Sequence, residues 1–224
     1  ELLRKNPDPT WLDALRYLKT SLVLANNGRF PQILHLTSAL PGEGKSTTAV
    51  NLALMLANTG NKVLLIDADL RKPTVHKHLE LDNSYGLTHY LTGTASESPL
   101  TRVKGSRLLF VICAGPAVPD PVEALSGAHM QTLLNKSREV FDYVIIDAPP
   151  VLGMADSLLL ANRADGTLLI AANNRSSKQD VRTAIDCLEK SHGKILGLVQ
   201  NMVPNKTSNA TSYYTDGRSM IAHA

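Results

Sequence analysis

Apolar residues in this chain cluster in short unbroken runs. Ile33–Thr37, Val63–Asp67, Leu108–Cys113, Tyr143–Asp147, Thr167–Ala171 and Ile195–Asn201 are each rich in Val, Ile and Leu. A strand that is apolar on both sides is covered on both sides, so most of these runs predict strands covered on both faces of a largely parallel sheet. Between them lie helical patterns, notably Lys45–Asn58, Pro121–Val140 and Lys178–Ser191. The alternation predicts an α/β fold, a mostly parallel sheet with helices on both faces. Ahead of the first strand, Trp11–Ala25 forms an amphipathic helix with Leu12, Leu15, Leu18 and Leu22 near one face. From Pro204 the chain turns polar, and its composition reads as a mobile tail. Short linkers and the absence of a repeat predict one folded domain over residues 1–203 and a tail over 204–224.

Composition narrows this picture only a little. The 224 residues suffice for a full α/β core, and 43% apolar against 19% charged residues is a globular balance. A net charge of +3 is too mild to argue for nucleic acid. Cys113 and Cys187 have no metal-like spacing and read as free thiols of a reducing compartment. No run approaches the roughly 20 apolar residues that span a bilayer. The chain opens at Glu1 and not at a methionine, so it reads as a piece of something larger that can own membrane segments elsewhere.

The chemistry gathers at three strand ends. The first strand runs into Ser38–Thr47, SALPGEGKST, and straight on into a helix. Such a loop turns successive backbone N–H groups inward, and the helix N-terminus adds partial positive charge, which suits phosphate. Gly42 and Gly44 allow the tight path around Glu43. Lys45 is expected on the β- and γ-phosphates, the Ser46 hydroxyl on Mg²⁺, and Thr47 on a second phosphate contact. The full pattern G-x-x-x-x-G-K-[ST] fails only at Ala39. Two more strands end in carboxylates: LLIDADLR brings Asp67 and Asp69, and VIIDAPP brings Asp147. Open α/β sheets bind ligands at the carboxyl ends of their strands, where a divalent cation offsets the crowding of these charges.

With these motifs in order, the chain resembles the bacterial tyrosine kinases that form the cytoplasmic part of Wzc-like polysaccharide co-polymerases. Their P-loop NTPase fold carries a Walker A loop, a Walker A′ motif DxDxR and a Walker B motif ending DxxP. Here these are PGEGKST, Asp67-Asp69-Arg71 and Asp147 with Pro150. The likeness runs on through RKPTVHKHL, GLTHYLTG, AGPAVPDPVEALS, the Asp156 region and ILGLVQN, nearly the whole chain. It implies ATP and Mg²⁺ as cofactors, adenine contact by Asn201, and phosphoacceptor tyrosines in the tail, for which Tyr213 and Tyr214 fit. Tyr17, Tyr85, Tyr90 and Tyr143 lie in ordered segments and read as packing residues. The family's N-terminal helix carries an E-x-x-R-x-x-R pattern for ring-like homo-oligomer contacts; the matching positions are Asp13, Arg16 and Lys19, so two of the three are altered. It further implies a place on the cytoplasmic side of the bacterial inner membrane. The partners it implies are a transmembrane co-polymerase segment, on the same or a separate chain, and an opposing protein tyrosine phosphatase.

The expected reaction is in-line transfer of the ATP γ-phosphoryl group to a tail tyrosine, controlling exopolysaccharide or capsule polymerisation and export. Lys45 and Mg²⁺ offset phosphate charge, Ser46 and Asp69 hold the metal, Asp147 binds it through water, and Asp67 orients or deprotonates the phenol. From Asn201 to Tyr214 the chain stretches at most about 45 Å, so reach permits transfer in cis, while the resemblance favours transfer in trans. The main alternative is a deviant Walker partition or positioning ATPase, whose signature Lys is replaced here by Leu40. A GTPase is disfavoured because Asn205-Lys206 is followed by Thr207-Ser208, leaving no NKxD signature. The complete carboxylate set disfavours an inactive regulatory module.

Overall fold

A computed structural model describes residues 9–203 of the chain. Tyr213 and Tyr214 lie outside the described residues. Helix α1 (Pro9–Ala25) leads into β1 (Ile33–Ser38), α2 (Lys45–Asn58) and β2 (Val63–Asp67). Two short helices, α3 (Val75–Leu79) and α4 (Leu87–Leu91), precede β3 (Thr101–Arg102) and β4 (Leu109–Ile112). Then come α5 (Pro121–Ser126), α6 (Ala128–Val140), β5 (Tyr143–Asp147), α7 (Ala155–Ala161), β6 (Gly166–Ala172), α8 (Lys178–Lys190) and β7 (Ile195–Asn201).

The strands form one seven-stranded sheet in the order β3-β4-β2-β5-β1-β6-β7. Every pairing is parallel except β3 with β4, an antiparallel edge. Alternate residues of the central strands β1, β2 and β5 feed opposite cores, as the two-residue period requires. Leu34, Leu36, Val63, Leu65 and Ile145 face α1, α2 and α3. Ile33, Leu64, Ile66, Val144 and Ile146 face α4, α5, α6 and α7. A third cluster of Ala39, Val151, Ala161, Leu169, Ala184 and Leu188 lies under α7 and α8, and covering on both faces explains why the central strands read as unbroken apolar runs.

Two expectations are corrected. Pro121–Val140 is not one helix, because Gly127 adopts an extended conformation between α5 and α6. Glycine holds a helix poorly, and the guanidinium of Arg163 takes the carbonyls of Leu125 and Ser126 that would otherwise leave the end of α5 unsatisfied. Tyr17 is not a packing residue: it is 41% exposed, because α1 buries only the face of Leu15, Leu18 and Leu22. Tyr85, Tyr90 and Tyr143 are half-buried and pack on His89, His129 and Phe30 respectively.

Candidate active site

Strand order decides which side chains meet. β5 lies between β1 and β2, and in the β2–β5 ladder Asp67 pairs with Asp147. The loop leaving β1 therefore turns beside two carboxylates at the same height. Within it Gly42 (φ 78°) and Gly44 (φ 88°) are left-handed, a conformation that side chains other than glycine rarely adopt. A Cβ on Gly44 would also come within 2.1 Å of the Asn201 amide.

Lys45 opens α2 and reaches back across this edge. Its Nζ lies 2.8 Å from Asp69 Oδ2, 3.3 Å from Ser46 Oγ and 3.9 Å from Asp147 Oδ1. Lys45, Ser46, Asp67, Asp69 and Asp147 are all buried. Asp67 accepts the Asp69 and Val75 amides, and Asp69 accepts the Lys72 amide, so the turn after β2 is folded around its own carboxylates. Burial works to lower the Lys45 pKa, but Asp147, Asp69 and Asp67 together hold it above the ordinary lysine value. Burial pushes both Asp67 and Asp147 upward; the charge of Asp147 adds to the effect on Asp67, while Lys45 and Ser46 temper it on Asp147.

Neither carboxylate oxygen of Asp147 makes a well-formed hydrogen bond, although both are buried; the nearby Ser46 hydroxyl and Lys45 Nζ at 3.9 Å satisfy it only in part. An under-bonded buried carboxylate next to two others carries a large desolvation cost unless a cation arrives. The donor set thus fits Mg²⁺. Among the described residues no group of three His, Cys, Asp or Glu forms a metal cage. Mg²⁺ bound through one or two carboxylates, a hydroxyl and substrate phosphates needs none.

The structure brings together Gly42, Glu43, Gly44, Lys45, Ser46, Asp67, Asp69, Asp147 and Asn201. Thr47 is half-buried in the first turn of α2. The Glu43 side chain is wholly buried and turned into the protein, accepting the amides of Leu40 and Ala172. Asn201 Nδ2 donates to the Glu43 carbonyl at 3.0 Å. Beside it lies a mainly apolar cavity of ≈ 280 Å³ lined by Trp11, Leu15, Thr48, Val199, Asn201 and Met202. Asp13 and Arg16 lie apart from the site, exposed and paired at 3.1 Å, with Lys19 half-buried one turn on.

The motifs assign no partner to Arg71, and its partner is Asp156. Arg71 Nε donates to Asp156 Oδ2 at 2.8 Å and Nη2 to Oδ1 at 3.2 Å, and Asp156 is buried at the start of α7. This planar fork ties the turn carrying Asp69 to the segment that follows Asp147. Arg175, which donates to the Gly42 carbonyl, had no motif to mark it.

A family model described as ParA, NUBPL iron-transfer P-loop NTPase, matches residues 29–219. Tyrosine-protein kinase YwqD of Bacillus subtilis is 38% identical over 209 residues, 92% of this chain and 88% of the relative. The chain belongs to the bacterial tyrosine kinases. The solved kinase domain of Escherichia coli tyrosine kinase ETK superposes with a TM-score of 0.80 at 30% identity, covering 95% of this chain and 79% of that one. The kinase also matches the putative tyrosine-protein kinase EpsB of Ralstonia solanacearum at 35% identity, over 92% of this chain but only 28% of that longer relative. The Pyrococcus furiosus cell division ATPase MinD shares the fold alone, with a TM-score of 0.64 at 23% identity over 80% of this chain and 78% of that one. Iron transfer belongs to the protein for which the family model is described. In this kinase Cys113 is buried, with its thiol pushed up to about 12 by that burial, and Cys187 sits on α8 as a second free thiol. Among the described residues no helix is long and apolar enough to cross a membrane.

Proposed function

We propose that the kinase transfers the γ-phosphoryl group of ATP to Tyr213 and Tyr214 of its own C-terminal segment, between neighbours in a ring-like homo-oligomer. The observation that carries this reading is the under-bonded Asp147 carboxylate, buried beside Asp67 and 3.9 Å from Lys45. The loop amides and Lys45 bind the phosphates, and Lys45 leaves Asp69 as they enter. Asp69, Ser46 and, through water, Asp147 would hold Mg²⁺, which offsets charge on the phosphate oxygens. The phenolic oxygen forms a bond to the γ-phosphorus as the bond to the β-phosphate oxygen breaks; ADP leaves, and the phenolic proton passes to Asp67. Burial and the neighbouring Asp147 raise Asp67 above an ordinary carboxylate, which favours that role. It remains a weaker base than a phenolate of pKa about 10, so a loose transition state with late proton loss suits it.

Adenine stacks in the cavity beside Asn201, whose walls are largely apolar. Asp13, Arg16 and Lys19 meet a neighbouring subunit. A membrane co-polymerase segment, on this polypeptide or another, holds the ring at the cytoplasmic face of the inner membrane, and a phosphatase resets it. The cycle of ring assembly and release regulates polysaccharide polymerisation and export. Incubating the purified protein with ATP and Mg²⁺, probing for phosphotyrosine and mapping it by mass spectrometry tests the reading. Lys45→Met is expected to abolish the signal at Tyr213 and Tyr214. Undiminished phosphotyrosine in that variant would sink the assignment.

A further inference from the structure

Two adjacent peptide units of the phosphate loop are held from outside by their carbonyls. The Gly42 carbonyl accepts the Arg175 guanidinium, and the Glu43 carbonyl accepts the Asn201 amide at 3.0 Å. A trans peptide points its C=O and N–H in opposite directions. Holding these two carbonyls outward therefore turns the N–H groups of Glu43 and Gly44 inward. Left-handed Gly42 and Gly44 on either side complete a concave run of amides. Among the described residues those amides have no protein acceptor.

The side chain of Glu43 anchors the same turn. Its Oε2 accepts the Leu40 amide at 2.7 Å, and its Oε1 accepts the Ala172 amide at 2.9 Å together with the Ser176 hydroxyl. All three donors are thus drawn onto one carboxyl group that is wholly buried. The segment supplying them is itself fixed. Asn174 is left-handed (φ 60°), the Asn173 amide donates to the Asn201 carbonyl at 2.7 Å, and Gln200 donates to Asn173 at 3.2 Å. The turn after β6 and the end of β7 therefore act together on the loop after β1.

We infer that Glu43 and Arg175 are positioning residues that hold the phosphate loop in its anion-binding shape before nucleotide arrives, through the turn at 172–176. This rests on the loop being the nucleotide site. The expected signature is weakened binding of the phosphates, with less effect on the transfer step, because neither side chain faces the carboxylates that work on the acceptor.

The test is titration of the full chain with Mg²⁺-ADP, alongside KM and kcat for ATP. Glu43→Gln puts an amide NH₂ against N–H and O–H donors and is expected to weaken ADP binding about tenfold. Arg175→Ala, at an exposed side chain that folding does not require, is expected to weaken it about threefold, and Arg175→Lys to recover most of the loss because it still donates to the Gly42 carbonyl. KM for ATP should rise in parallel while kcat falls less. ADP binding within twofold of the parent in both Glu43→Gln and Arg175→Ala overturns the inference, as does a fall in kcat with KM intact. If Glu43→Gln does not fold, the Arg175 pair decides alone. Lys45→Ala separates the two levels. If it weakens ADP binding and the other variants do not, positioning alone is refuted; if it too binds like the parent, the loop is not the site and both readings fall.

Discussion

Asp147 is a side chain that is costly in the resting protein and, in the proposed reaction, necessary in the working one. Its carboxyl is buried without a well-formed hydrogen bond, and burial raises its pKa more than Lys45 and Ser46 lower it. A group whose folded pKa is raised stabilises below its unfolded value and loses that contribution as pH rises through the folded one. At neutral pH without Mg²⁺ the charged form therefore strains the fold. Asp147→Asn is expected to raise stability to urea by about 1–2 kcal/mol while eliminating phosphotyrosine formation; a destabilised variant would contradict the electrostatics. His35 has the opposite sign. Thr167 lies 3.2 Å from its Nδ1, and Ser157 lies 3.2 Å from its Nε2 and donates onward to Thr37, whose hydroxyl donates to the Pro149 carbonyl. That chain assigns a neutral Nε2–H ring, and burial lowers the pKa to about 3. Stability is then fully present above the unfolded value of about 6.5 and falls as pH drops toward the folded value. Urea unfolding should lose about 2 kcal/mol more between pH 7 and pH 5 in the parent than in His35→Gln.

Among the elements, α1 shows two faces with separate duties. Leu15, Leu18 and Leu22 are buried against the core that α2 shares. Asp13 and Arg16 look outward as an i,i+3 pair. Leu15→Ala should cost about 2–5 kcal/mol of stability, whereas Arg16→Ala should change it by about 0.5 kcal/mol or less. If the outward face meets a neighbour, Arg16→Ala should nevertheless shift sedimentation toward the single chain; unchanged sedimentation would remove that face from the oligomer. The apolar periodicity of α1 was legible because burial is one-sided. The break at Gly127 was not, because Arg163, thirty-six positions on in sequence, satisfies the carbonyls at the end of α5.

At the scale of the whole molecule, the sheet is the device that gathers a binding site from distant sequence, and phosphorylation should act on the assembly. Each phosphate adds roughly −1.5 to −2 charges, so two on adjacent Tyr213 and Tyr214 should repel that segment from a phosphate-filled site. Light scattering should record smaller particles for the phosphorylated protein; an unchanged mass would count against regulation by disassembly. The strands β2, β5 and β7 and the helix α2 could be delimited from sequence, because continuous Val, Ile and Leu runs are readable without knowing their neighbours. The placement of Gly42, Gly44, Lys45, Ser46, Asp67, Asp69 and Asp147 at the carboxyl edge of the sheet was legible for the same reason, since each sits at a fixed offset from a strand end. Strand order was not legible, and it alone brings Asp67 into register with Asp147 beside the loop after β1. Nor was the inward turn of Glu43, because its partners Ala172 and Ser176 become neighbours only when β6 pairs with β1. Local offsets along a strand are written in the chain, so the sequence by itself determined which groups stand at the sheet's edge. Which of them touch depends on pairings between segments far apart in sequence, and only the tertiary structure decided those.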